Sequence, residues 1–212
     1  MIDYSLYLVT DRSLSKGRST AEIVAAAVAG GVSCIQLREK SCGTREFLNE
    51  ALALQPLLKS RNIPLIINDR LDIALAIEAD GVHLGQSDMP IGMARKIAGD
   101  SLIIGISAES VDDALRAEQE GADYIGISPV FSTPTKTDIA PPLGLEGVRQ
   151  IRALVDIPLV GIGGINSDNA ESVLAAGADG IAVVSAIVSA ADPAGAAKKL
   201  KTLIDQVLAQ ND

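Results

Sequence analysis

Aromatic residues are scarce in this chain: tryptophan is absent, and phenylalanine and tyrosine make up 2% of the 212 residues. Hydrophobic residues nevertheless account for 48%, so the core has to be built mainly from Ala, Val, Ile and Leu. This composition argues against an aromatic-rich β-sandwich and favours helices packed closely on parallel strands. A chain of this length can form one domain with a sizeable core.

Cysteine, positive charge and long apolar runs are also in short supply. The two cysteines, Cys34 and Cys42, lack metal-binding spacing, so we predict free thiols in a cytosolic protein. The formal net charge of -9, from 18 basic and 27 acidic residues, argues against nucleic acid or an anionic membrane as a partner. No segment reaches the roughly 18 apolar residues of a membrane span, and no signal peptide is visible. We therefore expect a cytoplasmic protein with no membrane partner.

The chain has a single histidine, His83, which limits the covalent chemistry available to it. His83 lies within an apolar run rather than at its end, and this position indicates a structural role. Cys42 has no other histidine to activate it, so a cysteine nucleophile or a Ser-His pair is not expected.

Short apolar runs recur along the chain, separated by segments with helical periodicity. Eight such runs are present: Leu6–Val9, Cys34–Leu37, Pro64–Ile67, Gly81–Leu84, Leu102–Ile106, Tyr124–Ile127, Leu159–Ile162 and Ile181–Val184. Eight βα units in this length predict an α/β fold, a single (β/α)8 TIM barrel over residues 1–212. The alternative is an open doubly wound sheet, which usually carries a G-x-G-x-x-G turn after the first strand, and none is present.

The segments between helix ends and strands repeat a short motif. Gly30-Gly-Val, Ala79-Asp-Gly, Gly121-Ala-Asp and Gly177-Ala-Asp each precede a strand. Glycine at this place supplies a left-handed helix cap, and the small residues after it allow a tight turn into the sheet. The repeated motif supports a repeated βα unit.

Polar residues follow nearly every predicted strand, at the end where barrel enzymes carry their active sites. They are Thr10-Asp-Arg12, Arg38-Glu-Lys40, Asn68-Asp-Arg70, Gly85-Gln-Ser-Asp88, Ser107, Gly163-Gly164, Ser185 and the loop from Ser128 to Lys136. Ordinary turn chemistry explains one or two such positions. Charges and glycines at almost every strand end instead predict a functional site at this end of the barrel, which we call the mouth.

Two anion sites are predicted at this mouth. Gly161-Ile-Gly-Gly164 and Val184-Ser185 offer backbone N–H groups where barrels often bind a phosphate monoester, although tight packing of small residues is an alternative explanation. Asp69 and Asp88 end adjacent strands, and paired carboxylates favour Mg²⁺ together with substrate phosphates. Arg38, Lys40 and Lys136 then surround the remaining phosphate oxygens.

Several motifs together resemble the thiamine-phosphate synthase family over nearly the whole chain. They are Tyr7-Leu-Val-Thr-Asp11, Gln36-Leu-Arg-Glu-Lys40, Asn68-Asp-Arg70, Asp80-Gly-Val-His-Leu-Gly-Gln86, Thr133-Pro-Thr-Lys136, Gly161-Ile-Gly-Gly-Ile165 and Val184-Ser-Ala-Ile187. The resemblance implies a transferase that joins a hydroxymethylpyrimidine diphosphate to a thiazole phosphate. It also implies a dissociative reaction in which diphosphate leaves before the thiazole attacks, in a monomer or homodimer.

The resemblance also assigns residues to the two small phosphorylated heterocyclic substrates. Those assigned to the pyrimidine diphosphate are Gln36, Arg38, Lys40, Asn68, Ser107 and Lys136, of which Arg38, Ser107 and Lys136 also take part in catalysis. The implied Mg²⁺ ligands are Asp69 and Asp88. The implied thiazole phosphate site comprises Thr133, Thr135, Gly164, Val184 and Ser185.

Two alternative functions stay open on the sequence. A thiazole tautomerase branch of the same family tends to lose the diphosphate ligands and to carry His in place of Ser107. A non-catalytic phosphate-binding barrel would need no aspartate pair. The chain departs from many relatives at Glu109, where they have His, but this position is outside the implied ligand set.

Overall fold

The computed structural model describes residues 2–133 and 140–209. Within these ranges, eight strands pair in parallel and in chain order to form a closed barrel: β1 (Leu6–Val9), β2 (Cys34–Leu37), β3 (Leu65–Asn68), β4 (Gly81–Leu84), β5 (Ile103–Ala108), β6 (Tyr124–Ile127), β7 (Leu159–Ile162) and β8 (Gly180–Val183). The first strand pairs with both the second and the eighth, which closes the sheet. The predicted (β/α)8 barrel is therefore confirmed, and the open sheet is wrong.

Helices follow the strands around the outside of the barrel. In the described part of the chain they are α1 (Thr20–Ala29), α2 (Thr44–Lys59), α3 (Leu71–Ala76), α4 (Ile91–Ala98), α5 (Val111–Gln119), α6 (Gly144–Arg152), α7 (Ala170–Ala175), α8 (Ser185–Val188) and α9 (Pro193–Leu208), with a 3-10 turn at Arg12–Leu14. Ser110 caps α5, since its side chain accepts from Asp113 N at 3.1 Å. Asn169 precedes α7 without a side-chain cap.

The apolar core has two layers because successive strand residues point to opposite faces of the sheet. Leu6 and Leu8 of β1 belong to the larger layer, which lies between the strands and the helices. Tyr7 and Val9 belong to a smaller cluster inside the barrel. Every second side chain of a strand thus points into the barrel interior. At the carboxyl ends of the strands, these inward side chains face the mouth.

Polar side chains fasten the amino end of the barrel at four places. In each, the side chain just before an even-numbered strand accepts a backbone N–H from the start of the preceding strand: Ser33 from Leu6 (3.1 Å), Asp80 from Leu65 (2.8 Å), Asp123 from Ile104 (2.7 Å) and Asp179 from Leu159 (2.8 Å). Each hydrogen bond fixes the stagger between the two strands, and the three with an aspartate acceptor are charge-assisted. The repeated motif therefore joins strands as well as capping helices.

The left-handed residue expected at these joints is present at each one. Gly31, Gly121 and Gly177 have φ values of 102°, 87° and 106°, and Glu78 has 54° at the corresponding place. Glycine adopts this conformation without steric cost, whereas Glu78 adopts it against its preference.

Both cysteines are free: Cys34 is buried and Cys42 is half-buried. None of the described helices has the length and apolar character needed to span a bilayer.

Candidate active site

A pocket of about 720 Å³ opens at the carboxyl ends of the barrel strands. It brings together every predicted site residue that the structure describes: Gln36, Arg38, Lys40, Asn68, Asp69, Asp88, Ser107, Thr133, Gly164, Val184 and Ser185. Thr135 and Lys136 lie outside the described residues. The predicted residues therefore share one pocket, while their individual roles stay predictions.

Three of the predicted residues enter the pocket from within strands. Gln36 in β2 and Asn68 in β3 are only 5% and 7% exposed, and Ser107 lies in β5. The Nδ2 atom of Asn68 is buried and has no hydrogen-bond partner among the described residues. An unpaired buried donor is costly, so this amide is suited to a ligand acceptor.

The cations on the β1–β3 side of the mouth are held in ion pairs. Arg38 Nη1 donates to Asp11 Oδ2 at 3.1 Å, and its backbone N–H donates to Thr10 Oγ1 at 2.9 Å. Lys40 Nζ contacts Asp69, and the lysine side chain is 52% exposed. The Lys40 pair is weak because the lysine is exposed, and Arg38 is held by one ion pair among the described residues, so an anionic ligand can compete for both cations.

Asp69 and Asp88 form the carboxylate pair predicted at the ends of β3 and β4. Asp69 has a positive φ of 61°, a conformation rare outside glycine, and its N–H donates to the carbonyl of His83 at 2.8 Å. Burial raises the pKa of Asp88, the Gly85 N–H lowers it, and the neighbouring Asp69 raises it again. The two carboxyl groups therefore interact and disfavour holding two negative charges together.

The donor set of this pair fits a hard divalent cation. Carboxylate oxygens suit Mg²⁺, which commonly takes one or two carboxylates and completes its shell with water and substrate phosphates. Within residues 2–133 and 140–209, no group of three or more His, Cys, Asp or Glu residues could hold a metal. A Mg²⁺ ion here would therefore depend on oxygens of the bound substrate.

The opposite side of the mouth is built from glycine backbone. Gly163 and Gly164 follow β7 with φ values of 101° and 65°. A Cβ at Gly164 would lie 2.6 Å from the carbonyl oxygen of Ser132, and one at Gly163 would lie 2.6 Å from Cβ of Pro129. These glycines let the segment after β6 lie against the end of β7. The tight packing of small residues given as the alternative explanation is therefore present at this site.

Helix α8 begins at the pocket. Val184 is its N-cap residue and Ser185 its first residue, and both line the pocket with Gly164. The first N–H groups of a helix have no partner within the helix and favour anions. Together with the glycine backbone, they form a surface that could meet a phosphate without a charged side chain.

A chain of hydrogen bonds runs under the pocket and was not predicted. Gln36 Nε2 donates to Tyr7 Oη at 3.1 Å, and Tyr7 Oη lies 2.9 Å from Tyr124 Oη. The Tyr124 hydroxyl lies 2.8 Å from His83 Nδ1, and His83 Nε2 lies 2.9 Å from Ser107 Oγ. His83 therefore lines the pocket, and its structural role stays a prediction.

Reading the strands with a period of two would have found these residues. His83 alternates with Val82 and Leu84, whose side chains lie in the outer layer. In register, His83 pairs with Asn68 of β3, which also faces the pocket. The alternation in the strands was therefore the available signal.

Some strand-end charges point away from the mouth. Arg12 contacts Glu39, Glu46 and Glu50, with its Nη2 2.7 Å from Glu50 Oε2, and Arg70 pairs with Asp72 at 2.6 Å. The Glu39 side chain is 4% exposed. Burial and then the Glu50 carboxylate raise the pKa of Glu39 to about 7.

A closed (β/α)8 barrel with a polar, partly charged pocket at the carboxyl ends of its strands has the architecture of the TIM-barrel enzymes. Comparison with known proteins narrows this class. The family described as thiamine monophosphate synthase matches residues 6–187. The chain belongs to the thiamine monophosphate synthase family, so the predicted family and transferase class are confirmed.

Individual relatives match over most of their length. The chain is 57% identical over 202 residues to a thiamine-phosphate synthase of Albidiferax ferrireducens, covering 95% of this chain and 92% of the relative. It is 52% identical over 204 residues to one of Chloroflexus aurantiacus, covering 96% and 94%. A solved thiamine phosphate pyrophosphorylase from Pyrococcus furiosus superposes with a TM-score of 0.91 at 45% identity, covering 97% of this chain and 98% of the other.

Proposed function

We propose that the chain is a thiamine-phosphate synthase. It condenses 4-amino-2-methyl-5-(diphosphooxymethyl)pyrimidine with 4-methyl-5-(2-phosphoethyl)thiazole, or its carboxylated form, to give thiamine phosphate and diphosphate. The observation that carries the proposal is the meeting of all eleven described site residues in one pocket. Family membership and the names of relatives support the same reaction.

The two sides of the mouth suit the two substrates differently. The diphosphate carries several negative charges, and the β1–β4 side offers Arg38 and Lys40 beside the pair Asp69 and Asp88. A phosphate monoester needs fewer charges, and the glycine backbone with the start of α8 can hold it through N–H groups. The proposed binding sites therefore lie on opposite sides of one pocket, which directs the reacting ends of the substrates to its centre.

We infer a dissociative reaction. The bond from the pyrimidine methylene carbon to the diphosphate oxygen breaks first, and its electron pair leaves with the diphosphate. The resulting cation is stabilised by the ring amine, and the lone pair of the thiazole nitrogen then forms the new C–N bond. No strong base is needed, which agrees with a pocket that offers one histidine.

In this reaction the chain neutralises the leaving group and aligns the nucleophile. Arg38 and Lys40 exchange their carboxylate partners for diphosphate oxygens, and Lys136 is proposed to join them. Asp69 and Asp88 would hold Mg²⁺, which when bound supplies positive charge to the leaving oxygens. Holding both substrates in line contributes roughly 7–11 kcal/mol, and charge stabilisation adds several kcal/mol.

The proposal is tested by incubating the purified chain with both substrates, with Mg²⁺ or with a chelator, and identifying products by mass spectrometry. Thiamine phosphate formed only with Mg²⁺ is the expected result. Reactions lacking the thiazole phosphate are the control, because they reveal diphosphate release without transfer. A rearranged thiazole with no joined product would indicate a tautomerase, and binding without any product would indicate a non-catalytic barrel.

A further inference from the structure

The buried chain of hydrogen bonds connects two residues that line the mouth. Gln36 stands at one end and Ser107 at the other, and Tyr7, Tyr124 and His83 lie between them. Tyr7 and Tyr124 are 1% and 0% exposed. Since water cannot reach these phenols, their hydroxyl groups have to be satisfied within the protein.

Each phenol in the chain supplies one proton and no more. Burial raises the pKa of Tyr7 and of Tyr124 well above the ordinary value, so both hydroxyls stay protonated at neutral pH. A hydroxyl donates once and accepts at its oxygen, whereas a neutral imidazole donates at one nitrogen and accepts at the other. Fixing the direction of one hydrogen bond therefore fixes the others.

The direction is set at Gln36. Its Nε2 atom donates to Tyr7, so the Tyr7 hydrogen is available to the next acceptor. The Tyr124 oxygen, at 2.9 Å, is the stronger acceptor, since the neighbouring Cys34 sulfur accepts only weakly. Tyr124 consequently donates to His83 Nδ1, and the imidazole proton lies on Nε2, directed at Ser107.

The same reasoning excludes a charged imidazole from a fully satisfied chain. A protonated His83 would point an N–H at Tyr124, which already accepts from Tyr7. The Tyr124 hydrogen would then lack an acceptor in a site that is 0% exposed. A neutral ring leaves every member of the chain paired and leaves the Ser107 hydrogen for the pocket.

Reversing the chain would exchange the roles of its two ends. If Gln36 presented its oxygen to Tyr7, every hydrogen bond would turn around, and Ser107 would donate to His83. Gln36 would then offer a donor to the pocket, and Ser107 an acceptor. The two ends are therefore always of opposite hydrogen-bonding character, because the hydroxyls between them transmit the direction.

We propose that Tyr124 is a positioning residue for the transferase: its hydroxyl couples the two ends of the hydrogen-bond chain, so that Gln36 meets the substrate as an acceptor and Ser107 as a donor. The ligand chemistry that fits is an aminated heterocycle bearing a phosphate ester, with an amine that donates to Gln36 and an acceptor atom that meets Ser107. This inference rests on the proposed function for the identity of that ligand.

Two glycines make room for the side chains of the hydrogen-bond chain. A Cβ at Gly105 of β5 would lie 2.1 Å from Cζ of Tyr124 and 2.5 Å from its hydroxyl oxygen. A Cβ at Gly126 of β6 would lie 3.1 Å from Cε1 of His83. Any side chain at Gly105 would displace the tyrosine ring, so the strand sequences accommodate the position of its hydroxyl.

The kinetic test compares Tyr124→Phe with Tyr4→Phe. The Tyr4 ring stacks on Tyr124 with centroids 4.6 Å apart, but its hydroxyl takes no part in the described chain. We expect Tyr124→Phe to lower kcat/KM for the pyrimidine diphosphate about 10- to 100-fold, while KM for the thiazole phosphate changes less than about 2-fold. Tyr4→Phe should leave both constants near those of the wild type.

The direction of the hydrogen-bond chain is tested by nitrogen NMR of ¹⁵N-histidine-labelled protein, prepared without a histidine tag. The protein has one histidine, so a single imidazole is observed. At neutral pH we expect a neutral ring protonated at Nε2, whose Nδ1 signal shifts in Tyr124→Phe but not in Tyr4→Phe. A ring protonated at Nδ1, or at both nitrogens, would overturn the assigned direction.

The outcomes separate this inference from the proposed function. A wild-type chain that makes no thiamine phosphate would refute the proposed function, whereas the NMR result would still decide the direction of the chain. An active wild type with Tyr124→Phe kinetics equal to it would refute the positioning role alone. Equal loss for both substrates would also refute it, because general damage to the pocket would then explain the effect.

Discussion

The two ends of the barrel use aspartate in different ways. At the amino end, Asp123 and Asp179 accept backbone N–H groups at 2.7 and 2.8 Å and also pair with an arginine. At the carboxyl end, Asp69 and Asp88 lie beside each other in the pocket, and an exposed lysine contacts Asp69. The same side chain thus binds both backbone and an arginine at one end, whereas at the other end it lies beside a second carboxylate.

This difference separates stability from function along the barrel axis. At the amino end, each carboxylate accepts a backbone N–H as well as pairing with an arginine, and so fixes the stagger of neighbouring strands. At the mouth, Arg38 and Lys40 are each held by one carboxylate among the described residues, and single ion pairs of this kind contribute little to stability and can exchange partners. Substitutions at the mouth should therefore change kinetics, and those at the amino end should change the free energy of unfolding.

The largest expected effect is that of Arg38→Ala at the mouth. Loss of this cation removes charge from the leaving diphosphate, so kcat/KM should fall roughly 100- to 1000-fold. The free energy of unfolding should change by less than about 1 kcal/mol, because the Arg38 guanidinium makes a single 3.1 Å contact, with Asp11, in the described part of the chain. Steady-state kinetics and denaturant unfolding of the same preparation check both statements.

Arg95 is the matched control, since its side chain is 22% exposed, like that of Arg38. Its guanidinium binds Asp123 and the carbonyl oxygens of Gly99, Leu102 and Gly121 at the amino end. Arg95→Ala should lower the free energy of unfolding by about 2–4 kcal/mol with kcat/KM unchanged in the folded fraction. Reversed effects of the two variants would contradict the separation.

Asp179→Ala should destabilise the barrel without touching catalysis. The substitution leaves the Leu159 N–H at the start of β7 without its acceptor and removes the carboxylate partner of Arg152, which should cost about 1–3 kcal/mol. Asp179→Asn keeps an acceptor oxygen and should lower the free energy of unfolding by less. Urea titrations measure the loss, and a changed KM for either substrate would show that the amino end reaches the pocket.

The smallest expected effect is a pH dependence of stability from Glu39, which packs behind the mouth. Its pKa is raised from 4.5 to about 7 by burial and by Glu50, with Arg12 opposing and Asp11 adding to the rise. Between these values the folded chain holds a proton that the unfolded chain has lost. The contribution of Glu39 to stability is therefore present below pH 4.5 and is lost as the pH rises through about 7.

Glu39→Gln should remove this part of the pH dependence, because the amide does not titrate. Unfolding free energies measured at several pH values between about 5 and 8 give the slope to compare. Glu46→Gln, which alters another carboxylate on Arg12 but one that is 56% exposed, serves as the control and should keep the wild-type slope. An unchanged slope in Glu39→Gln would refute the assignment.

The sequence was sufficient to predict the barrel and most of the residues that lie at its mouth. Apolar runs matched the observed strands closely, as at Leu6–Val9 and Tyr124–Ile127, because a parallel barrel buries both faces of each strand. Polar residues directly after such runs had to lie at one end, since all strands run in the same direction. Site residues at strand ends, such as Asp69 and Asp88, could therefore be predicted before any contact was known, whereas Gln36, inside β2, was assigned through the resemblance to the family.

What the sequence did not predict depends on contacts across strands. The interior position of Tyr7 and Tyr124 requires the alternation of side chains within each strand, and their hydrogen bond joins residues 117 positions apart. The hydrogen bond from Leu159 to Asp179 likewise depends on the stagger between β7 and β8. Arg12 shows the opposite failure: it follows a strand and so is expected at the mouth, but its side chain pairs with Glu50 of α2 instead.

The most direct test of the difference between the two ends is the Mg²⁺ dependence of thiamine phosphate formation in Asp69→Asn and Asp123→Asn. Both substitutions remove one charge and keep an acceptor oxygen. The account predicts that Asp69→Asn needs at least about 10-fold more Mg²⁺ for half-maximal rate, while the Asp123→Asn curve coincides with that of the wild type. Coinciding curves for wild type and Asp69→Asn, or a shifted curve for Asp123→Asn, would contradict it.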